Sequence, residues 1–211
     1  MIELARRRMM MGGSALPYDA EVEWVASDGN TVVDTLIAPN TFTNYYLVFS
    51  NWARKRDVIF FEALDFKDNV YKNYREMSVG HADSMRSQYA TSARDAWLPT
   101  SNVANVKFSI TKIGFEIIYH NYSTGLDYAT TLTPNSYQWT DTLKLFGTDV
   151  HPTMIMSARL HPSYLTDENG NKIGDYIPVR KNGGGYLYDK ISKQLLPNIG
   201  PGLSFGPDKT T

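Results

Sequence analysis

Along most of this chain apolar and polar residues alternate with a period of two, and helical spacing hardly appears. Val106, Phe108 and Ile110 alternate with Lys107, Ser109 and Thr111, as expected of a strand with one buried face. Phe115, Ile117 and Tyr119 resume the pattern after Lys112–Ile113–Gly114, which reads as a hairpin turn. "TNYYLVF" and "DVIFFEAL" carry the β-branched and aromatic residues that strands favour, and "LKLF", "MIMSARL" and "IGDYIPV" extend the pattern. Turn signals separate the runs at Asp28-Gly29-Asn30, Ala38-Pro39-Asn40, Thr133-Pro134-Asn135, Asn169-Gly170-Asn171 and Asn182-Gly183. Short strands at this spacing predict an all-β, two-sheet antiparallel sandwich or jelly roll. Ser78 to Ala96 is the least strand-like stretch and reads as a long loop or one helical turn. No linker or internal repeat divides the chain, so residues 17–211 form one predicted domain behind a leader of residues 1–16.

The segment "YIPVRKNGGGYLYDK", Tyr176 to Lys190, places two basic residues before three glycines and invites a phosphate-loop reading. A P-loop needs its lysine and a Ser or Thr after the glycines, and a dinucleotide site needs a helix there. Neither follows. Asn182-Gly183 instead supplies the two positions tolerant of positive φ that a type I′ hairpin turn demands.

Composition narrows the chemistry. The 211 residues include no cysteine, which removes disulfides, thiolate metal sites and a cysteine nucleophile. A net charge of −1 gives no electrostatic footprint for nucleic acid, and no stretch is apolar enough to span a bilayer as a helix. The leader "MIELARRRMMMGGSALP" has too short an apolar run for a signal peptide, so localisation stays undetermined between a virion component and cytoplasmic synthesis followed by assembly. It reads either as a disordered leader or as a short helix docking on a partner, a second copy or a virion protein.

"DYIPVRKNGGGYLYDKISKQLLPNIGPG" with "FGPD" resembles the closing segment of concanavalin A-like, laminin G-like jelly-roll proteins of gut bacteria and their phages and prophages. "LPYDAEVEWVASDGNTVVDTLIAPN" is similar to that family's opening strands, with Asp34-Thr35 in a matching place. "DTLKLFGTD" and "MIMSARLHPSYLTDENGNKIGDYIPV" resemble its last sandwich strands. The resemblance implies a jelly roll used for carbohydrate recognition or as a purely structural module of a virion or cell surface, and, as the family carries no single obligatory activity, a glycoside hydrolase is the third alternative. A glycan or polysaccharide is the partner it implies; it implies no cofactor, and calcium is the metal it leaves open.

The chemistry read from the residues agrees with a non-enzymatic module. Glucanases of sandwich type need two carboxylates about 5–5.5 Å apart. Glu21 and Glu23 share a strand face, but a solvent-facing pair is the simpler account, and Glu62 and Asp65 do not fit the strand-borne spacing. The four histidines lie far apart, and "HADS", His81 to Ser84, is too local for a hydrolytic triad. "TDENGNKIGD" alternates Asp167, Asn169 and Asn171, yet its glycine sits where an EF-hand has none, so a hairpin turn is expected. Trp24, in phase with Val22, is expected in the core. Trp52, Trp97 and Trp139 lie in loop-like surroundings, where they either cap the core or stack on sugars, with Arg54 and Asp57 beside Trp52 to bond hydroxyls. Trp52, Arg54, Asp57, Trp97 and Trp139 are therefore the candidate carbohydrate-binding residues.

Overall fold

The computed structural model describes residues 16–52, 58–67, 70–79, 84–90, 92–96 and 106–210; the leader to residue 15 lies outside them. In chain order the strands are β1 Ala20–Glu21, β2 Val25–Asp28, β3 Val32–Asp34, β4 Asn44–Ser50, β5 Ile59–Lys67, β6 Val70–Val79, β7 Ser84–Ala90, β8 Ser92–Ala96, β9 Phe108–Ile113 and β10 Glu116–Asn121. They continue with β11 Leu126–Thr131, β12 Lys144–Leu145, β13 Ser157–Leu160, β14 Ser163–Thr166, β15 Lys172–Lys181, β16 Gly184–Asp189, β17 Gln194–Leu195, β18 Asn198–Ile199 and β19 Ser204–Phe205. The described residues contain no α-helix, only a 3-10 turn at Pro152–Met154.

Two antiparallel sheets form a β-sandwich. The larger runs β11-β10-β9-β4-β14-β15-β16-β17, with β1, β2, β13 and β19 attached beside this path. The smaller runs β18-β3-β12-β5-β6-β7-β8. Period-two alternation turns Tyr45, Leu47 and Phe49 of β4 inward, while Asn44 and Tyr46 stay half-exposed on the other face. Phe49, Phe60, Phe108 and Trp52 meet between the sheets with centroids 5.2–6.5 Å apart, mostly edge to face. Burying each such ring contributes roughly 1.5–3 kcal/mol, so this cluster is a main attraction between the sheets.

The chain crosses between sheets twice at one place. β2 belongs to the large sheet and β3 to the small one; β18 joins β3, and β19 joins β2. The two crossings are tied by Thr31, whose hydroxyl donates to Gly202 O at 2.8 Å and accepts from Gly202 N at 3.1 Å. Gly200 (φ +124°) passes so close that a Cβ there would lie 2.3 Å from Asn30 O. Gly200, like Gly185 on β16, is thus needed for close backbone approach.

Several expected turns are present. Asn182 (φ 49°) and Gly183 (φ 77°) form the two-residue link between β15 and β16, with Lys181 opposite Gly184, as a type I′ turn requires. Asn169-Gly170 turns the β14–β15 hairpin, and the Asp167 carboxylate caps it by accepting from Asn169 N, Asn171 N and Asn171 Nδ2. The turn expected at Lys112–Ile113–Gly114 lies two residues later, at Gly114-Phe115, because Lys112 and Ile113 still belong to β9.

Two expectations are corrected. Ser78 to Ala96 is neither loop nor helical turn: it holds the end of β6 and a β7–β8 hairpin, with residues 80–83 and 91 outside the described residues. Its alternation escapes a hydropathy reading because one inward position, Ser87, is polar. Trp24 is not in the core. A bend between Val22 and Val25, both buried, breaks the phase, and the half-buried indole sits between Gly206 and the Arg159 guanidinium, 4.0 Å from the ring centroid.

Candidate functional site: a tyrosine strip on the large sheet

Of the five residues singled out as a sugar site, Arg54, Asp57 and Trp97 lie outside the described residues. Trp52 and Trp139 are each only 1% exposed. Trp52 packs on Phe60 and Phe108, and the Trp139 indole N–H donates to Lys72 O at 2.7 Å. Neither offers a ring face to solvent, so in this conformation both act as core caps. Their loop-like neighbours hid this, since both lie outside the strands yet turn their rings into the apolar interior.

Accessible aromatics lie elsewhere, on the outward face of the large sheet. Tyr164 on β14 pairs directly with Tyr46 on β4, and their rings stack 5.2 Å apart at 25°. The Tyr46 hydroxyl bonds the Tyr122 hydroxyl, and Tyr122, 43% exposed, meets the His120 ring edge to face at 4.6 Å. Four rings thus run contiguously across β14, β4 and the β10 end. Charged groups flank them. Lys172 sits over the Tyr164 ring at 4.9 Å and pairs with Asp175 at 3.0 Å. Lys107 sits over Tyr122 at 5.3 Å, and His120 Nδ1 meets Asp127 at 2.7 Å. Burial and the bond to Tyr122 push the Tyr46 hydroxyl up to about 12, so it stays a neutral donor near neutral pH.

These residues were readable as strand but not as site. "TNYYLVF" puts two tyrosines side by side, and in a strand with one buried face one of them has to point outward. That signal was available for Tyr46. Nothing in sequence brings Tyr122 and Tyr164 beside it, because strand order does that.

The interior holds a second polar group of a different kind. Glu76 is fully buried between the sheets; one carboxylate oxygen accepts from Tyr45 (2.8 Å) and Tyr89 (2.7 Å), the other from Ser87 (2.8 Å) and Tyr119. Burial pushes its carboxyl up to about 7, against the opposing pull of these four donors. Lys112, in phase with Phe108 and Ile110, is 1% exposed and donates to Thr41 O (2.8 Å) and Thr43 O (2.9 Å). Burial brings its amine down to about 7. This network links the two sheets and faces no solvent, so it is a structural element.

On the outward face of the small sheet, Lys144, Glu62, Arg75 and Gln88 stand directly opposite one another across β12, β5, β6 and β7. Arg75 donates to Glu62 at 3.1 Å and to Gln88 at 2.9 Å. Beside this row a groove of about 650 Å³ is lined by Asp65, Tyr137, Thr140, Asp141, Lys144 and Asp149, among others. Asp65 is held by Thr140 N, Thr140 Oγ1, Asp141 N and Tyr137 Oη, which organise the loop. Glu21 and Glu23 are both exposed, and Glu21 pairs with Lys209 at 3.8 Å. Among the described residues no group of three or more His, Asp or Glu is placed to hold a metal ion.

The chain matches no family model and no curated protein.

Proposed function

We propose that this protein is a non-enzymatic carbohydrate-recognition or adhesion module of jelly-roll type, serving a virion or a cell-surface structure. The observation that carries the reading is the strip Tyr164–Tyr46–Tyr122–His120, because contiguous half-exposed rings flanked by ammonium and carboxylate groups match a sugar's apolar C–H faces and its hydroxyls. The two-sheet antiparallel sandwich supplies a rigid support for such a surface. The virion or surface setting rests on the resemblance of the closing segment to jelly-roll proteins of phages and gut bacteria.

A glycan array of bacterial surface polysaccharides, followed by fluorescence titration, tests the reading. Binding that Tyr46→Ala weakens at least tenfold supports it, ten-fold being the 1.4 kcal/mol expected of a stacked ring. A folded sample that binds none of the array's glycans would sink it.

A further inference from the structure

We infer that the strip takes an extended oligosaccharide of about three units lying across the strands, and not a single terminal sugar. This rests on the carbohydrate reading above. From Tyr164 on β14 through β4 and β9 to His120 on β10 is three strand spacings, about 14 Å at roughly 4.8 Å each. One unit of an extended sugar chain advances about as far as one strand spacing, roughly 5 Å, so a single ring covers a third of the strip.

The contacts make the strip one surface. Tyr164 stacks on Tyr46, Tyr46 bonds Tyr122 through its hydroxyl, and Tyr122 abuts His120. In the middle Tyr46 meets the Tyr164 ring and the Tyr122 hydroxyl, whereas each end carries a cation and a carboxylate. Hydroxyl-bonding groups at both ends with apolar rings between suit a ligand that stacks along its length and is anchored at its termini. The end lysines, Lys107 and Lys172, are exposed, so a bound ligand could exchange their cation–π contacts for bonds to its hydroxyls. The phenol–phenol bond fixes Tyr46 and Tyr122 relative to each other before binding, which lowers the ordering cost.

Titration calorimetry with graded oligomers of glucose, N-acetylglucosamine and galacturonic acid, one to six units long, tests this. In a series that binds, affinity should rise about tenfold or more from one unit to three and then level off. Tyr164→Ala and Tyr122→Ala, at opposite ends, should each weaken the three-unit oligomer about tenfold, with melting temperatures held within about 2 °C because both sites are surface positions. Equal affinity for one and three units, or a loss from only one end, overturns the extended ligand while leaving carbohydrate recognition standing. Failure of all three series overturns the extended ligand, and together with no binding on the glycan array it overturns both readings. Binding of a proline-rich peptide at Tyr46 in their place assigns the strip to a different partner and also overturns the inference.

Discussion

Glu76 concentrates the unusual chemistry of this molecule in one side chain. Four hydroxyl donors surround a carboxyl that burial holds up at about 7, so the folded state keeps a proton that the unfolded chain has already lost. Stability from this group is complete below about pH 4.5 and declines as pH rises toward 7. His161 acts oppositely. Desolvation, with the Lys107 charge nearby, lowers it to about 4, so its contribution is present above about 6.5 and is lost as pH falls through 4. Between roughly 4.5 and 6.5 the two slopes offset. Glu62, also raised by burial, adds a falling slope of its own. Glu76→Gln thus removes one of two falling contributions, and the unfolding free energy of this variant from urea titrations should rise relative to wild type as pH increases across that window, by at most about 1.4 kcal/mol per pH unit for one proton. A parallel pH profile for the two proteins would refute the assignment. The substitution itself should cost about 1–3 kcal/mol, because a carboxylate oxygen's hydrogen bonds pass to an amide. Little of this was legible beforehand. Lys112 follows Phe108 and Ile110 in phase, so its burial could have been read, but lysine in an apolar alternation reads first as a turn. Glu76 gave no signal, since its donors come from β4, β7 and β10.

At the scale of elements, two of the three glycines that suggested a phosphate cradle, Gly183 and Gly185, have separate reasons. Gly183 needs positive φ and has open space around it, whereas Gly185 has ordinary φ but lies under β19, where a Cβ would be 2.7 Å from Ser204 O and 2.9 Å from Leu203 O. Gly183→Ala should cost about 1–2 kcal/mol through left-handed strain alone. Gly185→Ala should cost clearly more, because backbone on the opposing strand has to shift. Chemical denaturation of both variants checks the order; an equal or reversed cost would show that β19 yields easily. Gly174 illustrates a third role: a Cβ there would meet the Tyr176 hydroxyl at 2.3 Å, so the glycine makes room for a buried ring one pleat on. The hairpin at Asn182-Gly183 was readable because turn chemistry is local. The close approach at Gly185 was not, because the strand that covers it, β19, follows only after two further strands, beyond the reach of local periodicity.

Over the whole molecule, the paired crossings at residues 29–31 and 200–203 decide how firmly the two sheets hold each other. Thr31 bonds Gly202 in both directions, and β18 and β19 each extend a different sheet. Gly200→Val should therefore destabilise by several kcal/mol, since its Cβ would meet Asn30 O at 2.3 Å and its backbone has φ +124°. Thr31→Ala, which removes the bridging hydroxyl, should cost about 1–2 kcal/mol. Thermal melts read both, and a Gly200 variant as stable as wild type would show that the crossing is not a constraint.

Alternation along the chain by itself determined the class of this protein: strands with one buried face, tight turns where Asn-Gly and Gly occur, and an all-β sandwich. Those features depend on neighbours two to four residues apart, which sequence displays directly. Tertiary structure alone decided which rings meet. It buried Trp52 and Trp139, brought Tyr46, Tyr122 and Tyr164 into one strip, and closed four hydroxyls around Glu76. The physical reason is that strand order and sheet crossing set contacts between residues more than a hundred positions apart, as between Tyr46 and Tyr164. No local periodicity encodes that order.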